Sequence, residues 1–243
     1  MLVTFLGTAP GIPQLNRRHS AILFKDEQIT FLIDCGEGVC QAFLEEKIGI
    51  DELDFIFITH THPDHISGIY MLLQYFHTQK RKKPLNIYLP EDTRHFSQVL
   101  NFMYLFPCLL GYDIILYNCA LIEGQYDNIS VVTTNHLSGY SEFVKKNNLP
   151  NTLYSYGIII KSNGKKLFYT SDIINVSEID KYLKDIDFLI IDAIHPKPKE
   201  IIDLKDQITE QIFLTHGTTQ ELISMIKDIN IFVITNDKDR FFM

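Results

Sequence analysis

The chain has 243 residues, of which 46% are hydrophobic and 21% are charged, and its formal net charge is −8. This composition is ordinary for a soluble globular protein and gives enough length for one large domain or two small ones. The negative charge argues against a general nucleic-acid-binding protein, because such proteins usually carry a basic surface. The one dense basic run, "QKRKKP" at 79–84, is interpreted as a solvated loop.

No linker, low-complexity segment or change in composition marks a boundary, so residues 1–243 are predicted to form a single domain. The opening run "MLVTFLGTAPG" resembles a strand and not a secretory signal, and no apolar run approaches the length of a membrane span. The cysteines Cys35, Cys40, Cys108 and Cys119 lack the spacing of a zinc site and are expected to be reduced. We therefore expect a cytoplasmic protein that does not associate with membranes.

The predicted elements alternate between strands and helices along the chain. The runs "LVTFLG", "AILFK" and "ITFLID" are rich in β-branched and aromatic residues, which predicts three strands. "EGVCQAFLEEKIG" then predicts a helix, "LDFIFIT" a buried strand and "ISGIYMLLQYF" a second helix. Later strands are predicted for "NISVVTT", "YGIIIKS", "KKLFYTS", "DFLIID", "QIFLT" and "IFVIT", and helices for "VSEIDKYLKD" and "TTQELISMIKD". This alternation predicts a layered α/β domain. The apolar run "YLFPCLLGY" is interpreted as core in preference to a hydrophobic lip beside the active site or a dimer face.

Residues that commonly bind metals follow the ends of four predicted strands. His60 follows "DFIFIT", His136 follows "SVVTTN", Asp172 follows "KLFYTS" and His216 follows "QIFLT". Because α/β proteins usually place their sites at strand ends, we expect these side chains to converge at one edge. A weaker signal is an internal echo between "DFIFITHTH" and "EQIFLTHGT", which suggests a duplication with two equivalent histidines.

The densest group of such residues lies in "FITHTHPDHISG", residues 57–68. His60 and His62 are two residues apart, so they can bind one ion from the same side of an extended loop. Asp64 and His65 come at the start of the next helix and point elsewhere, which favours two metal ions close together. Histidine and carboxylate ligands without a thiolate favour zinc, with manganese or iron(II) as alternatives.

The stretch "THTHPDHISG" resembles the HxHxDH signature of the metallo-β-lactamase superfamily, and the three later ligands occur in that family's order. The resemblance implies a four-layer αβ/βα sandwich of two mixed sheets flanked by helices, with a dinuclear metal site at its edge. It also implies the ligands, which are His60, His62 and His136 for the first ion, Asp64, His65 and His216 for the second, and Asp172 as a bridge.

Such a site has a chemistry that follows from its charge. Water between two divalent ions loses a proton near neutral pH, so a dinuclear-metal-bound hydroxide is the expected nucleophile. The ions would also stabilise an anionic transition state. Asp64 and Asp172, together with the hydroxide, reduce the charge of the two ions to about one positive charge, which favours an anionic phosphodiester substrate. Asp64 is therefore assigned to both the catalytic and the metal-binding residues.

Asp34 in "FLIDCGEG" also ends a predicted strand. It is interpreted as a turn or helix N-cap residue, as a carboxylate that orients a ligand histidine, or as both.

Three tracts, "FLGTAPGIPQLNRRHSAIL", "DCGEG" and "SYGIII", resemble the ribonuclease Z branch of the superfamily. The resemblance implies an endonuclease-type phosphodiesterase, frequently a homodimer, with Arg17 or Arg18 as a phosphate contact. Two features depart from the branch. Ribonuclease Z enzymes usually carry a His-Glu-Ala-Thr motif whose histidine protonates the leaving group, and here Ile191 stands in its place. The Gly/Pro-rich arm of bacterial ribonuclease Z is absent from residues 137–171.

The tract "DAIHP" is more similar to the small-molecule phosphodiesterases of the superfamily, such as the cyclic-phosphate phosphodiesterase of phosphonate breakdown. His195 would then be the proton donor, unless it is a surface histidine. The prediction is a cytoplasmic metal-dependent hydrolase, a phosphodiesterase acting on a small molecule or on RNA. The alternatives are a hydrolase of thioesters, lactones or other carbonyl compounds on the same dinuclear site, and a non-catalytic relative that binds RNA or a partner.

Overall fold

The computed structural model describes residues 1–243, which divide into two compact units. The N-terminal unit consists of residues 1–121 and 237–242, and the C-terminal unit consists of residues 122–236 together with Met243. Each unit contains one mixed sheet with helices packed against it. The predicted α/β class, with two mixed sheets flanked by helices, is confirmed. Whether residues 1–243 behave as one domain stays a prediction.

The N-terminal unit contains a seven-stranded sheet and four α-helices. Its strands are β1 (Leu2–Gly7), β2 (Ala21–Lys25), β3 (Thr30–Ile33), β4 (Phe55–Phe57), β5 (Leu85–Leu89), β6 (Ile114–Asn118) and β13 (Arg240–Phe242). Its helices are α1 (Val39–Glu45), α2 (Pro63–Ile66), α3 (Ile69–Thr78) and α4 (Thr93–Phe102). The strand order is β13-β1-β2-β3-β4-β5-β6; pairs up to β2–β3 are antiparallel, and β3 to β6 run parallel. Strands β3 and β4 are buried throughout, which explains their continuous apolar runs "TFLI" and "FIF".

One residue of the basic run at 79–84 is not solvated as predicted. Arg81 is fully buried, and its guanidinium group donates hydrogen bonds to four backbone carbonyl groups. It also lies over the rings of Phe76 and Tyr112 at 5.0 and 5.7 Å from their centroids. Burial of the charge is tolerated because the donors are satisfied and the ring faces attract a cation.

The C-terminal unit contains a six-stranded sheet and three short α-helices. Its strands are β7 (Ile129–Thr134), β8 (Ser155–Ser162), β9 (Lys165–Tyr169), β10 (Phe188–Asp192), β11 (Gln211–Thr215) and β12 (Phe232–Ile234). Its helices are α5 (Ser141–Lys146), α6 (Pro198–Ile202) and α7 (Gln220–Ile226). The strand order is β12-β11-β10-β9-β8-β7, with β7 to β9 antiparallel and β9 to β12 parallel.

The two sheets repeat one topology, since three antiparallel strands are followed by three more strands that extend the sheet in parallel. In this repeat β4 is the fourth strand of its sheet and corresponds to β10. Phe55 of β4 pairs with Phe31 of β3, and Phe188 of β10 pairs with Leu167 of β9. The predicted echo matched β4 with β11, which is the fifth strand of its sheet, so that alignment is wrong by one strand.

Two local predictions also differ from the structure. "VSEIDKYLKD" forms two 3-10 helices, Val176–Glu178 and Asp180–Tyr182, because reciprocal hydrogen bonds between Asn175 and Glu178 cap a single turn. "YLFPCLLGY" is only partly core, since Tyr104 and Leu109 are 82% and 67% exposed. None of the helices combines the length and the apolarity that crossing a bilayer requires.

Candidate metal centre

The N-terminal cluster consists of Asp34, Thr59, His60, His62, Asp64 and His65, which follow the adjacent parallel strands β3 and β4. Asp34 comes directly after β3, and Thr59 and His60 come just after β4. His62 precedes the first turn of α2, which Pro63 opens. The cluster is therefore positioned by strand ends, as the sequence predicted.

Asp34 lies at the centre of the N-terminal cluster and is fully buried. Its Oδ1 accepts hydrogen bonds from the backbone amide and the hydroxyl of Thr59, at 2.9 and 2.8 Å. Its Oδ2 lies 2.7 Å from Nδ1 of His65. Asp34 thus orients a histidine, one of the two interpretations of this residue.

These hydrogen bonds determine which nitrogen each histidine can offer to a metal. His65 donates from Nδ1 to Asp34, so its Nε2 is the coordinating atom, 3.5 Å from Oδ2 of Asp64. The Thr59 hydroxyl donates to Asp34 and therefore accepts from Nδ1 of His60, at 3.2 Å. Nε2 of His60 then faces Nδ1 of His62 at 3.1 Å. Two zinc-binding nitrogens in a tetrahedral site lie roughly 3.3 Å apart, so this pair fits a shared ion.

The C-terminal cluster consists of His136, Asp172, Asp192, His195 and His216. Asp172 is almost fully buried, and histidines approach both of its oxygens. Oδ1 lies 2.8 Å from Nδ1 of His216, and Oδ2 lies 3.6 Å from Nε2 of His136. A carboxylate approached on both oxygens by imidazoles can serve two ions at once. His136, Asp172 and His195 bring their ligand atoms close enough together to bind one metal ion.

His195 belongs to the C-terminal cluster because Asp192 holds it there. Nδ1 of His195 lies 2.6 Å from Oδ2 of the buried Asp192, whose Oδ1 also accepts the backbone amides of Ile194 and His195. The His195 ring lies 5.0 Å from the ring of His136 and 5.6 Å from that of His216. Its side chain is 39% exposed. With Nδ1 engaged, Nε2 is the atom that can exchange a proton with a substrate.

Three strand ends that carry these residues adopt left-handed backbone conformations without glycine. The φ angles are 59° for Asp34, 54° for Ser171 and 62° for His216. Non-glycine residues rarely adopt this conformation, and it occurs preferentially at functional sites. The chain therefore turns sharply where the clusters begin.

Sequence reasoning did not identify Thr59 or the orienting role of Asp192. For Thr59 a signal existed, since a hydroxyl residue stood between an apolar strand and His60. For Asp192 the signal was the Asp-x-x-His spacing to His195 directly after a strand, which suits a hydrogen bond within one turn.

The arginines that were expected near phosphate have other partners within the N-terminal unit. Arg18 forms ion pairs with Glu45 at 2.7 Å and with Asp237 at 3.7 Å. Arg17 donates hydrogen bonds to the carbonyl and the hydroxyl of Thr8. A phosphate contact from either arginine stays a prediction.

The cysteines offer no competing metal site. All four are free. Burial, and then the negative charge of Asp34, raise the pKa of both the Cys35 and the Cys119 thiols, so both stay protonated near neutral pH. Metal binding by thiolate is thereby disfavoured, and the histidine and carboxylate set suits zinc or another borderline divalent ion.

Comparison with known proteins agrees with this arrangement. A family model for the Anti-Pycsar protein Apyc1 matches residues 1–99. Ribonuclease Z of Methanosarcina mazei is 36% identical over 145 residues, which is 57% of this chain and 47% of that protein. Ribonuclease Z of Methanocaldococcus jannaschii is 28% identical over an alignment that covers all of this chain and 89% of that protein. This chain thus spans less than half of the length of the M. mazei relative.

The short form of human tRNase Z has a similar structure, with a TM-score of 0.72 and 21% identity, covering 99% of this chain and 98% of that one. The chain shares its fold with the metallo-β-lactamase fold protein YhfI of Bacillus subtilis, with a TM-score of 0.73 and 18% identity, covering 99% of this chain and 98% of that one. In sequence, the chain is similar to ribonuclease Z, along its whole length in the M. jannaschii relative.

Proposed function

We propose that this protein is a cytoplasmic metal-dependent phosphodiesterase of the ribonuclease Z-like branch, acting on an anionic phosphodiester that is either a small molecule or RNA. The observation that carries the proposal is the Asp172 carboxylate with histidines on both oxygens, in a ribonuclease Z-like chain. Free cysteines support a reducing compartment. A homodimer stays a prediction, which sedimentation can test.

The proposed ligands keep the assignment that the family pattern implies. They are His60, His62 and His136 for one ion, Asp64, His65 and His216 for the other, and Asp172 for both. The paired nitrogens of His60 and His62 and the oriented His65 support binding of divalent ions, with zinc favoured by the donor set. When bound, two such ions would supply Lewis acidity and make water acidic enough to attack phosphorus at neutral pH.

The chain's own residues have separable tasks in this proposal. Asp34 holds the His65 ring directly and the His60 ring through the Thr59 hydroxyl, so one carboxylate orients ligands of both ions. Fixed ligands keep the site in the geometry that the reaction needs.

His195 supplies the proton that the leaving group requires. Hydrolysis forms a bond from a water oxygen to phosphorus, with loss of a proton of that water to the solvent, and breaks the bond from phosphorus to the ester oxygen, which takes a proton and leaves as an alcohol. The Nε2–H of His195 donates to this oxygen, and Asp192 stabilises the orientation of the ring through Nδ1. Ile191 stands at the position of the family's proton-donating histidine and has no proton to donate. In this proposal His195 takes over that role.

The first test compares hydrolysis of a chromogenic phosphodiester, a thioester and a lactone by zinc- or manganese-loaded protein, with Asp172→Ala as the blank. The proposal expects turnover of the phosphodiester alone, loss of that turnover in Asp172→Ala, and about two metal ions per chain by elemental analysis. Turnover of the thioester or the lactone instead would assign the protein to the carbonyl-compound hydrolases. Metal binding without any turnover, across cyclic and linear phosphodiesters, would favour a non-catalytic relative.

A further inference from the structure

The end of helix α4 and the turns that follow it expose large apolar side chains over residues 99–109, here called the 99–109 surface. Phe102, Tyr104 and Leu109 are 81%, 82% and 67% exposed, and Val99 and Met103 are 40% and 48% exposed. No other stretch of eleven residues exposes five large apolar side chains. Single exposed apolar residues are ordinary, whereas a group of this size in one segment indicates a binding surface.

The 99–109 surface lies in a part of the chain that is almost free of charge. Asp113 is the only Asp, Glu, Lys or Arg between Arg94 and Glu123, although 21% of the whole chain is charged. Strand β6 belongs to this part and is an edge strand of its sheet, since it pairs with β5 alone. Exposed edge strands usually carry charges or proline, which hinder pairing with another molecule. β6 has neither, so the sequence does not protect this edge.

Tyr104, within the 99–109 surface, holds a backbone conformation that opposes the stability of the chain by itself. Its φ angle is 60°, in the left-handed region. Its amide donates to the carbonyl of Asn101, and the amide of Leu105 donates to that of Leu100. These hydrogen bonds form a Schellman helix end, whose left-handed residue is usually glycine or asparagine. The Tyr104 ring lies edge-on to Phe106 at 5.9 Å and is otherwise exposed, so a contact outside the chain explains the tyrosine better than the fold does.

Size and charge favour a second copy of this chain as the partner of the 99–109 surface. Aromatic side chains offer roughly 150–250 Å² each, so Phe102 and Tyr104 alone expose on the order of 300 Å². Each partner contributes about 800 Å² to a standard interface, which is the scale of this surface together with its exposed neighbours. Two copies that each carry a net charge of −8 meet with least repulsion where charges are absent. A strongly charged partner would find no complementary charge here.

We infer that the 99–109 surface joins two copies of this chain around a twofold axis, with Phe102 and Tyr104 at the centre of the contact. A twofold contact uses the same surface on both copies, so dimerisation covers it completely. Exposed aromatic side chains are the residues that most often carry the binding energy of such interfaces. The inference places the predicted homodimer contact in the N-terminal unit and does not depend on the proposed activity.

Sedimentation velocity of the full chain, over a wide range of protein concentration, measures the dissociation constant of the dimer. Phe102→Ser is expected to raise this constant about 30-fold or more, the effect of losing an interface hot spot. Phe143→Ser removes a helical ring that is 62% exposed in the C-terminal unit, and this matched control should leave the constant unchanged. Far-UV circular dichroism of both variants confirms folding.

Tyr104→Gly separates a role in the interface from a role in the fold. Glycine relieves the left-handed strain, so the monomeric variant should resist urea at least as well as the wild type. The same variant should dimerise about 30-fold more weakly, because the ring is lost. Lower resistance to urea together with unchanged dimerisation would show that the ring stabilises the fold, and the inference would be wrong.

Cys108 is a probe of the 99–109 surface that requires no substitution. It is exposed, whereas Cys40 is half-buried and lies on helix α1, outside this surface. Alkylation by N-ethylmaleimide, measured for each cysteine by mass spectrometry, should slow at Cys108 as protein concentration rises and stay constant at Cys40. Alkylation of Cys108 at the same rate throughout a monomer–dimer transition would contradict the inference.

Three further results would overturn the inference. The first is a wild-type chain that is monomeric at every concentration. The second is a dimer that Phe102→Ser and Phe143→Ser weaken equally or not at all, because its interface would then lie elsewhere. The third is a monomer that co-sediments with phosphatidylcholine–phosphatidylglycerol vesicles through Phe102, which would make this surface a lipid-binding site. None of these measurements involves hydrolysis, so the inference and the proposed function can fail separately.

Discussion

The ends of β4 and β10 occupy the same place in the two repeats, and their sequences are half identical but carry different side chains at the key positions. "DFIFITHTHP" at 54–63 and "DFLIIDAIHP" at 187–196 are identical at five of ten positions. In the first, Thr59 occupies the position that Asp192 has in the second, and His60 the position of Ala193. Both end in a histidine followed by proline, His62 and His195.

The exchange of Thr59 for Asp192 changes where the orienting carboxylate is found. At the end of β4 the carboxylate is Asp34 on the neighbouring strand, and it reaches two histidines. At the end of β10 the carboxylate is on the strand itself, and it holds one histidine three residues later. A single strand end can thus position either ligands for a metal or one group that moves a proton.

The largest expected effect is the difference in metal content and hydrolysis between variants of the equivalent histidines His62 and His195. His62→Ala removes a proposed ligand, so we expect loss of about one metal ion per chain and loss of hydrolysis for every ester. His195→Ala should keep the metal content but slow hydrolysis of an alkyl phosphodiester about 10²- to 10⁴-fold, the usual contribution of a general acid. A nitrophenyl ester, whose leaving group needs no proton, should slow less than about tenfold.

Parallel metal analysis and kinetics on both esters check this contrast. Equal slowing of the two esters by His195→Ala would show that His195 acts as a ligand or a structural residue. The proposed difference in role between the ends of β4 and β10 would then be wrong.

The next effect compares the two carboxylates. Asp34→Asn keeps the side-chain volume and a residue type that tolerates positive φ, but an amide cannot replace both carboxylate oxygens as acceptors. We expect about 10- to 100-fold weaker zinc binding, measured by competition with a chromophoric chelator. Asp192→Asn should leave zinc affinity within about threefold and slow the alkyl ester about tenfold. The reverse pattern would interchange the roles of the two residues.

Thr59→Val tests the link between Asp34 and His60 with a side chain of similar shape. Loss of the hydroxyl leaves Nδ1 of His60 and Oδ1 of Asp34 with one partner fewer, so we expect about tenfold weaker zinc binding and a loss of roughly 1–2 kcal/mol in the free energy of unfolding. Thr59→Ser restores the hydroxyl and is the control. Wild-type zinc affinity in Thr59→Val would mean that His60 is oriented by packing alone.

The smallest effect concerns Asp54 and Asp187, the aspartates that precede β4 and β10. Asp54 accepts the backbone amide of Thr30 at 2.9 Å, and Asp187 accepts that of Lys166 at 2.8 Å. We expect Asp54→Asn and Asp187→Asn each to lower the free energy of unfolding by about 1 kcal/mol in urea titrations at pH 7. A large difference between the two losses of unfolding free energy would show that the two aspartates do not contribute equally to stability.

Asp187 adds a pH dependence to this prediction. Burial acts to raise its pKa, but hydrogen bonds from the Lys166 amide, the Lys165 ammonium group and the Thr209 hydroxyl outweigh burial and lower the pKa overall. A lowered native pKa stabilises the fold above the unfolded value of about 3.9 and ceases to do so as pH falls through the native value. The difference between wild type and Asp187→Asn should therefore narrow in acid, and a constant difference would contradict the role of the ionised carboxylate.

Much of the fold could be predicted because its strands are short apolar runs and its helices have clear periodicity. The ligand-type residues were also predictable, since His60, His136, Asp172 and His216 each follow such a run. The sequence could not show that Asp192 and His195 hydrogen-bond, because that contact depends on the turn after β10. Nor could it show that Arg81 is buried, because the carbonyl groups of the distant Ile50 and Leu53 have to join those of the nearby Lys83 and Pro84 around one guanidinium group.

The exposure of residues 138–154, which include helix α5, was equally hidden from the sequence. "GYSEFVKKNNL" at 139–149 has the apolar spacing of an ordinary amphipathic helix, and only the fold shows that Phe143 is 62% exposed. Tyr104 and Leu109 were assigned to the core for the same reason. Apolar character predicts burial on average, and it fails at these exposed positions.

At the left-handed strand ends, the substitution that would raise thermal stability is also one that would remove a side chain of the proposed site. Asp34, Ser171 and His216 each hold a backbone conformation that disfavours side chains by roughly 1 kcal/mol or more, and glycine would relieve it. A library selected only for heat resistance should therefore enrich glycine at 34 and 216, where the side chains are the proposed orienting carboxylate and a proposed metal ligand. Ser171 has no assigned ligand role. Of the three positions, it is therefore the one where substitution by glycine should raise thermal stability without loss of the proposed activity.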